Sequence, residues 1–457
     1  MHEELFDINI GDERLNRRLI LLGNRFLERP NASIPQSCEG WKESKAAYRL
    51  FSNNKLTCEN MIDIHRQKTL ERSLGCKEVL AIQDTTYVTF KGHHRSKLDL
   101  GNISCHSGRK IPGLIIHNTL LASLEGTPFG LFDQQIINRK NDQIVHTKRP
   151  LEERETFKWI ESIQTIKAFY PEDTDVISVA DREGDLFPYL LFMQDCSINF
   201  VVRSCYNRIV GDRNPKSRNI PKEHSYLKDH LAKIKWKGEL SYKIYDNKLK
   251  KQRNVTFKYK SCSIRIPASR IFHGDTRTYP EVDVNVIELQ EKGRDKNRLN
   301  WRLFTTLKVD NEFQIQKVVN IYKKRWLVEE YHRILKSGCT IEDLRLETFE
   351  RLKKCLTLYS IVAWKLLLLT KIGREHPNRS CEALLKESEW KVLMISAKGK
   401  GSEKEGPPKM KDAIYMIAKL GGYLARKSDG PPGMTSIWTG WRALEERHKF
   451  YLELTCG

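Results

Sequence analysis

Residues 321–338, IYKKRWLVEEYHRILKSG, constrain the chain more than any other stretch. At about 100° per residue, Leu327, Val328, Tyr331, Ile334 and Leu335 fall on one side of a helix, the pattern of a face packed on a core. Tyr322, Arg325, Glu329 and Lys336 fall within roughly 60° of one another on the opposite side. One helix is therefore expected to stand on an apolar footing and present a carboxylate flanked by two cations and a phenol. Glu330 is rotated about 100° off that line, which leaves Glu329 as the acid to follow. Taken alone, the same residues also describe an ordinary solvated helix face, because charged side chains are mostly exposed.

Composition narrows the choice. A chain of 457 residues is too long for one small core and implies several domains or subdomains. Its formal net charge of +21 calls for a polyanionic partner, nucleic acid first and an anionic membrane surface second. No run reaches the roughly 18 uninterrupted apolar residues of a membrane span, and the start, MHEELFDINIGDERLNRR, carries no secretory core. The 11 cysteines form no C-x-x-C pair, which fits reduced structural thiols in a cytoplasm better than a zinc site.

Along the chain the periodicity changes several times. Residues 1–75 read as a helical basic module in which Arg14, Arg17, Arg18, Arg25 and Arg29 punctuate Leu15, Leu19, Leu22 and Phe26. A second helix there carries Lys45 and Arg49 beside Tyr48, Leu50 and Phe51. Such a module suits a phosphate backbone; the alternative is a packing or dimerisation module with solvated arginines. From Val79, VLAIQDTTYVTF reads as a strand with Asp84 in its middle, where a carboxylate is costly unless it faces a polar site. Two further strands and a charged helix follow, then VISVADREGDLFPYLLFM, a buried run ending in Asp181 and flowing into a helix. Residues 199–309 alternate as antiparallel strands and read as a β insertion, one of whose loops is basic (Lys248, Lys250, Lys251, Arg253). A linker is expected at 398–411. Beyond it come two amphipathic helices whose aromatics Trp438, Trp441, Phe450 and Tyr451 suit either a partner interface or ordinary packing.

Three carboxylates thus stand out: Asp84 inside one strand, Asp181 at the end of another, and Glu329 on a helix. An RNase H-like fold brings such a set together. Phosphodiester cleavage at neutral pH needs a nucleophile generated and a leaving oxygen stabilised, which two hard divalent ions about 3.5–4 Å apart can do. Carboxylate oxygens suit Mg²⁺, and no His/Cys cluster of metal-ligand spacing competes with them.

At this level the sequence resembles a known family. The spacing Y-x2-R-x3-E-x6-K over Tyr322, Arg325, Glu329 and Lys336 is similar to the signature of hairpin-forming DDE transposases of bacterial insertion sequences, in particular the Tn-five-like, insertion-sequence-four family. LAIQDTTYV resembles that family's first-Asp strand, VADREGDLFPYL its second-Asp segment, and FVVRS and NWRLFTTL the strands around them. AYRLF and the ending IAKLGGY with W-x-G-W-x-A-L match as well.

The resemblance implies an α/β fold with an RNase H-like catalytic core. Residues 1–75 would be a helical DNA-end-binding domain, 76–370 the core interrupted by the β insertion at 199–309, and 371–457 a helical dimerisation region. It implies that Asp84, Asp181 and Glu329 are the catalytic, metal-binding acids for two Mg²⁺ ions, with Mn²⁺ as a substitute. Tyr322, Arg325 and Lys336 would contact phosphates of the cleaved end, and Arg203 the hairpin or end DNA. Trp301 would hold a flipped base, although a core tryptophan of a β-strand fits the sequence too. Arg17, Arg18, Lys45 and Arg49 would bind DNA from the N-terminal module. The expected protein is a cytoplasmic, nucleoid-associated bacterial cut-and-paste transposase. It would bind terminal inverted repeats as a homodimer, nick, form and resolve a hairpin, and join the 3′ ends to target DNA, with no membrane partner. The rivals are an RNase H-like nuclease without strand transfer and a silent transposase-derived DNA-binding regulator.

Overall fold

The computed structural model describes residues 2–38, 40–90, 98–103, 111–139, 149–211, 225–246, 251–267, 279–293, 298–426 and 429–455. Its strands are β1 (Glu78–Thr89), β2 (Gly113–Ala122), β3 (Pro128–Ile137), β4 (Asp175–Ala180), β5 (Asn199–Arg203), β6 (Ile209–Val210), β7 (Ser225–Tyr226), β8 (Gly238–Asp246), β9 (Lys251–Ile266), β10 (Val282–Glu291) and β11 (Asn300–Thr305). Two compact units form. A sheet unit comprises Gly75–Asp84 and Asp142–Trp326, and a helical unit comprises Met1–Leu74, Thr85–Asn141 and Leu327–Gly457.

In the sheet unit the first half of β1 pairs in parallel with β4, and β4 in parallel with β5. Val79, Leu80, Ala81 and Ile82 are fully buried, as the unbroken apolar run of a parallel strand covered on both faces requires. The sheet then continues through β11, β10, β9 and β8. β11 is antiparallel to β5 (Leu303 opposite Arg203), and each later neighbour is antiparallel to the one before. The antiparallel strands expected in 199–309 are present, with one exception at the start of the range. NFVVR is a parallel strand of the central sheet, and the antiparallel strands extend that same sheet by pairing with its open edge. Period-2 alternation specifies a strand but not which edge it joins. Helices Lys158–Phe169, Phe187–Asp195 and Glu312–Lys324 belong to the same unit. Lys248 and Lys250 of the expected basic loop lie outside the described residues, while Arg253 is ion-paired with Glu291.

In the helical unit β2 and β3 form an antiparallel hairpin. The N-terminal helices appear as expected: Glu13–Glu28 buries Leu19, Leu22 and Phe26, and Trp41–Phe51 buries Ala47, Leu50 and Phe51. The helix Cys58–Ser73 packs on β3, as does the long helix Phe349–Glu375. Phe26 stacks on Tyr359 of that long helix at 4.3 Å and 8°. Over Phe349–Arg374 it is apolar enough by length and composition to cross a membrane, but 89% of its most apolar window is buried inside the protein. A search for uninterrupted apolar runs passes over it because Lys365 and Lys371 break the pattern.

The last two helices, Met410–Leu420 and Met434–Thr455, touch through glycine. A Cβ on Gly440 would lie 1.6 Å from the Ile417 carbonyl oxygen, and one on Gly421 2.0 Å from that of Ser436. That close approach is the physical reason for glycine in LGGY and WTGW. Of the four aromatics expected here, Trp441 is buried and Trp438 is half-buried with its ring over Gly338, while Phe450 is exposed.

A buried polar cluster ties the start of the chain to β3. The backbone N–H of Leu131 donates to His65 Nε2 at 3.0 Å, so His65 carries its proton on Nδ1 and donates to Glu4 Oε2 at 2.8 Å. Arg72 donates to both oxygens of Glu4, at 2.6 and 3.3 Å, and stacks 4.3 Å over Trp364. Burial would raise the Glu4 pKa, but the hydrogen bond and charge of its partners outweigh it and hold the carboxyl at about 2. Burial also lowers the His65 pKa, against the pull of Glu4. Both groups bind protons more readily in the unfolded chain, so acid favours unfolding. Stability is expected to fall as pH drops below 6.5, where unfolded His65 protonates, and further between 4.5 and 2, where unfolded Glu4 does. Glu4→Gln is expected to cost about 3 kcal/mol at neutral pH by leaving Arg72 uncompensated and to flatten the acid limb, as read from denaturant titrations across pH.

Candidate active site

The first two candidate acids are placed by strand register. Each β4 residue lies opposite the β1 residue 97 positions earlier, from Glu78 opposite Asp175 to Ile82 opposite Val179. Asp84 and Asp181 have that same separation (181 − 84 = 97), so continuing the register beyond Ile82 and Val179 sets Asp84, midway along β1, beside Asp181, just past the end of β4. Neighbouring strands lie about 4.8 Å apart, and residues in register point to the same face. Asp84 is buried, and Arg325 Nη1 lies 3.6 Å from its Oδ2. Asp181 is half-buried just past β4, where its Oδ1 accepts the Glu183 backbone N–H at 2.8 Å and caps a short 3-10 turn. Beneath them Gln83 donates to Tyr189 Oη at 3.0 Å, and Tyr189 Oη lies 2.7 Å from Ser178 Oγ, a buried linkage of β1, β4 and the following helix.

Around this pair the sheet unit gathers four more of the sequence candidates. Trp301 of β11 is half-buried, with ring centroids 5.6 Å from Phe257 and 5.4 Å, edge to face, from Tyr322. Tyr322 is buried rather than presented to solvent. Burial, more than the negative charge of Asp181, raises its phenol pKa, while Arg203 and Arg325 pull it down, Arg203 by a hydrogen bond as well. Arg203 also donates to the Asn300 carbonyl at 3.3 Å, bridging β5 to the start of β11.

The stretch 321–338 is not the single α-helix expected. Helix Glu312–Lys324 ends at Arg325, a second helix runs Trp326–Arg333, and Ile334–Gly338 is a turn of π-helix. A constant 100° per residue fails across such a break, because π-helical residues advance by less. The apolar footing holds: Leu327, Val328, Tyr331, Ile334 and Leu335 are all buried. Tyr322 and Arg325 fall in the sheet unit, Glu329 and Lys336 in the helical unit. Within the latter, Glu329 and Lys336 are both half-buried. Glu330 is ion-paired with Lys371 of the long helix, and His332 Nε2 accepts from Asn118 Nδ2 at 2.9 Å. Glu330 therefore has a structural partner on the long helix.

In the N-terminal helix Trp41–Phe51 the side chains of Trp41, Lys42, Lys45 and Arg49 are exposed, a cationic stripe with an aromatic at its head. Arg17 is exposed and paired with Glu13 at 3.0 Å, and Arg18 is half-buried.

One residue escaped the sequence reading. Asp185, the last of the three acids of DREGD, is fully buried. Its Oδ2 accepts the backbone N–H groups of Cys205 at 2.7 Å and Tyr206 at 3.1 Å, and its Oδ1 accepts Arg208 Nε at 2.9 Å. It thereby fixes the loop that follows Arg203. The available signal was an acid four residues after Asp181 with a glycine between, since a Cβ on Gly184 would sit 2.6 Å from Ala180 Cβ.

Comparison with known proteins decides the family. Residues 1–56 match a transposase DNA-binding domain, 221–364 a transposase DDE domain, and 361–449 a Tn5 transposase dimerisation domain. These matches mark the chain as a Tn5-like DDE transposase. The insertion-sequence-four assignment is consistent with them. The DDE domain carries with it an RNase H-like core, an enzymatic function and dependence on a divalent metal. DNA and a dimer partner follow from the flanking domains. Among solved structures, a cryo-EM structure of a piggyBac transposase synaptic complex with hairpin DNA is similar at 9% identity and a TM-score of 0.39, over 91% of this chain and 73% of that one.

Asp185→Ala is expected to destabilise the transposase by about 3 kcal/mol, because it strands the Arg208 guanidinium and two backbone donors. Chemical denaturation of the purified variant checks this.

Proposed function

We propose that this transposase works by cut-and-paste, with Asp84, Asp181 and Glu329 as its catalytic acids. What supports the reading is the β1–β4 register, which when continued sets Asp84 beside Asp181, with the Arg325 guanidinium next to Asp84. The donor set fits magnesium: paired aspartates offer hard oxygens and leave room for water and substrate phosphate. Asp84, Asp181 and Glu329 would hold two Mg²⁺ ions, or Mn²⁺ in their place. When bound, these ions supply Lewis-acid activation of water and stabilisation of the leaving oxygen.

The remaining roles belong to side chains. Arg325 offsets the charge of Asp84 and, with Arg203, Lys336 and the Tyr322 phenol, holds phosphates of the cleaved end. Trp301 is half-buried, so part of its ring surface is open to a base, while Phe257 and Tyr322 fix its orientation. The exposed Lys45, Arg49 and Arg17, with Arg18, bind the backbone of the terminal inverted repeats. We assign end recognition to residues 1–75, chemistry to 76–370 and dimerisation in the synaptic complex to 371–457. In the reaction, water cleaves one strand to leave a 3′ hydroxyl. That hydroxyl attacks the opposite strand to form a hairpin, a second water reopens it, and the 3′ ends attack target DNA. The hairpin step rests on the family resemblance and not on a distance.

Alanine at Asp84, Asp181 or Glu329 is expected to abolish Mg²⁺-dependent nicking of terminal-repeat DNA while end binding persists. Glu330→Ala is expected to lower stability and to spare nicking per folded molecule. Normal cutting by Glu329→Ala with loss in Glu330→Ala would reverse the assignment.

A second test separates a transposase from a plain nuclease. Unstacking a base costs a few kcal/mol, and stacking it on an aromatic ring returns about 1–3 kcal/mol. Trp301→Ala is accordingly expected to nick at near-normal rate but to slow hairpin formation or opening at least tenfold, about 1.4 kcal/mol in the barrier. Time courses of nick, hairpin and double-strand break, run beside a melting curve, check it. Loss of all steps together with a lowered melting point would make Trp301 a packing residue only.

A further inference from the structure

A second group of metal-ligand side chains lies in the helical unit, on elements separate from those carrying the catalytic acids. Glu445 and His448 are about one turn apart on the helix Met434–Thr455, and Glu389 comes from the helix Glu387–Lys398. One ligating atom from each of the three lies within 4.8 Å of the other two. His448 is buried, and its Nε2 is 2.8 Å from Ser388 Oγ. When Nε2–H donates to Ser388, Nδ1 keeps its lone pair and the ring is held in one orientation, the arrangement that commonly supports a metal-binding imidazole. Glu389 uses Oε2 to accept the Lys386 backbone N–H at 2.7 Å, which anchors that carboxylate at the start of its helix.

We propose that Glu389, Glu445 and His448 bind one divalent transition-metal ion, zinc by ligand type, which clamps the terminal helix onto the helix Glu387–Lys398. One imidazole and two carboxylates form a mixed nitrogen and oxygen set, which zinc accepts and magnesium does not favour. Zinc bonds such atoms at about 2.0–2.2 Å, which puts ligands around a tetrahedral ion about 3.4 Å apart. Water would complete the shell. All three ligands fall within the match to the dimerisation domain, so the ion would stiffen that region and leave the catalytic acids to magnesium.

The test uses the full chain with Asp84→Asn and Asp181→Asn, so that catalytic binding is suppressed. The protein is stripped with chelator, incubated with Zn²⁺, desalted and analysed for metal. About one zinc per chain is expected, with a melting temperature raised by Zn²⁺. Adding His448→Gln is expected to weaken zinc affinity at least tenfold and to remove the thermal shift. Glu445→Gln is expected to do the same and decides the matter should His448→Gln fail to fold. No zinc uptake by the parent, or uptake and thermal shift unchanged by Glu445→Gln, would overturn the site.

Discussion

The in-register parallel pairing of β1 with β4 is the constraint on which the candidate site depends. Continued past Ile82 and Val179, it sets Asp84 beside Asp181 on neighbouring strands, where two carboxylates would repel each other. The pairing is held by burial on both faces: Val79, Leu80, Ala81 and Ile82 are fully buried and lie opposite Val176, Ile177, Ser178 and Val179, which are buried too. The acids are thus positioned by hydrophobic burial several residues upstream of them. Arg325 at 3.6 Å from Asp84 offsets part of the repulsion.

The surroundings of that pair follow from the same sheet. β5 continues the parallel run and ends in Arg203, and β11 returns beside it carrying Trp301, so the sheet edge that might have been open is filled by the strands that bring a cation and an aromatic. Asp185 then fixes the loop after Arg203 through two backbone N–H groups and Arg208. A buried carboxylate is tolerable when it is fully hydrogen-bonded, and this one accepts from both the main chain and a guanidinium. DREGD therefore divides its labour by burial: its first acid opens to the site and its last is consumed by structure.

Much of this was legible in the sequence because periodicity reports burial. The apolar footing Leu327, Val328, Tyr331, Ile334 and Leu335, the strand around Asp84 and the strand ending at Asp181 all repeat with the spacing of the elements they form. The interruption at Arg325 was not legible, because no glycine or proline marks it, and both flanking segments keep helical spacing. Nor was the union of residues 199–309 with the central sheet, since strand pairing is a long-range property that alternation does not encode. Asp185 was hidden for a third reason: its partners lie some twenty residues away in a loop without pattern. The glycines of LGGY and WTGW were visible as a motif, but only the 1.6 Å and 2.0 Å approaches explain them.

A chain of net charge +21 is attractive to a polyanion everywhere, so attraction alone cannot position one. On the proposed reading, position comes from contrast. The exposed stripe Trp41, Lys42, Lys45 and Arg49 offers cations to a backbone with few constraints on register. The sheet unit instead offers acids that repel phosphate, each set close to a cation that does not. With Arg325 beside Asp84, and Arg203 hydrogen-bonded to the Tyr322 phenol, the proposed site would hold a phosphate only if additional positive charge offset the aspartates. The carboxylates would thus couple substrate binding to metal binding. A site lined only by arginine would bind DNA more tightly without metal, and would hold it where no chemistry could follow.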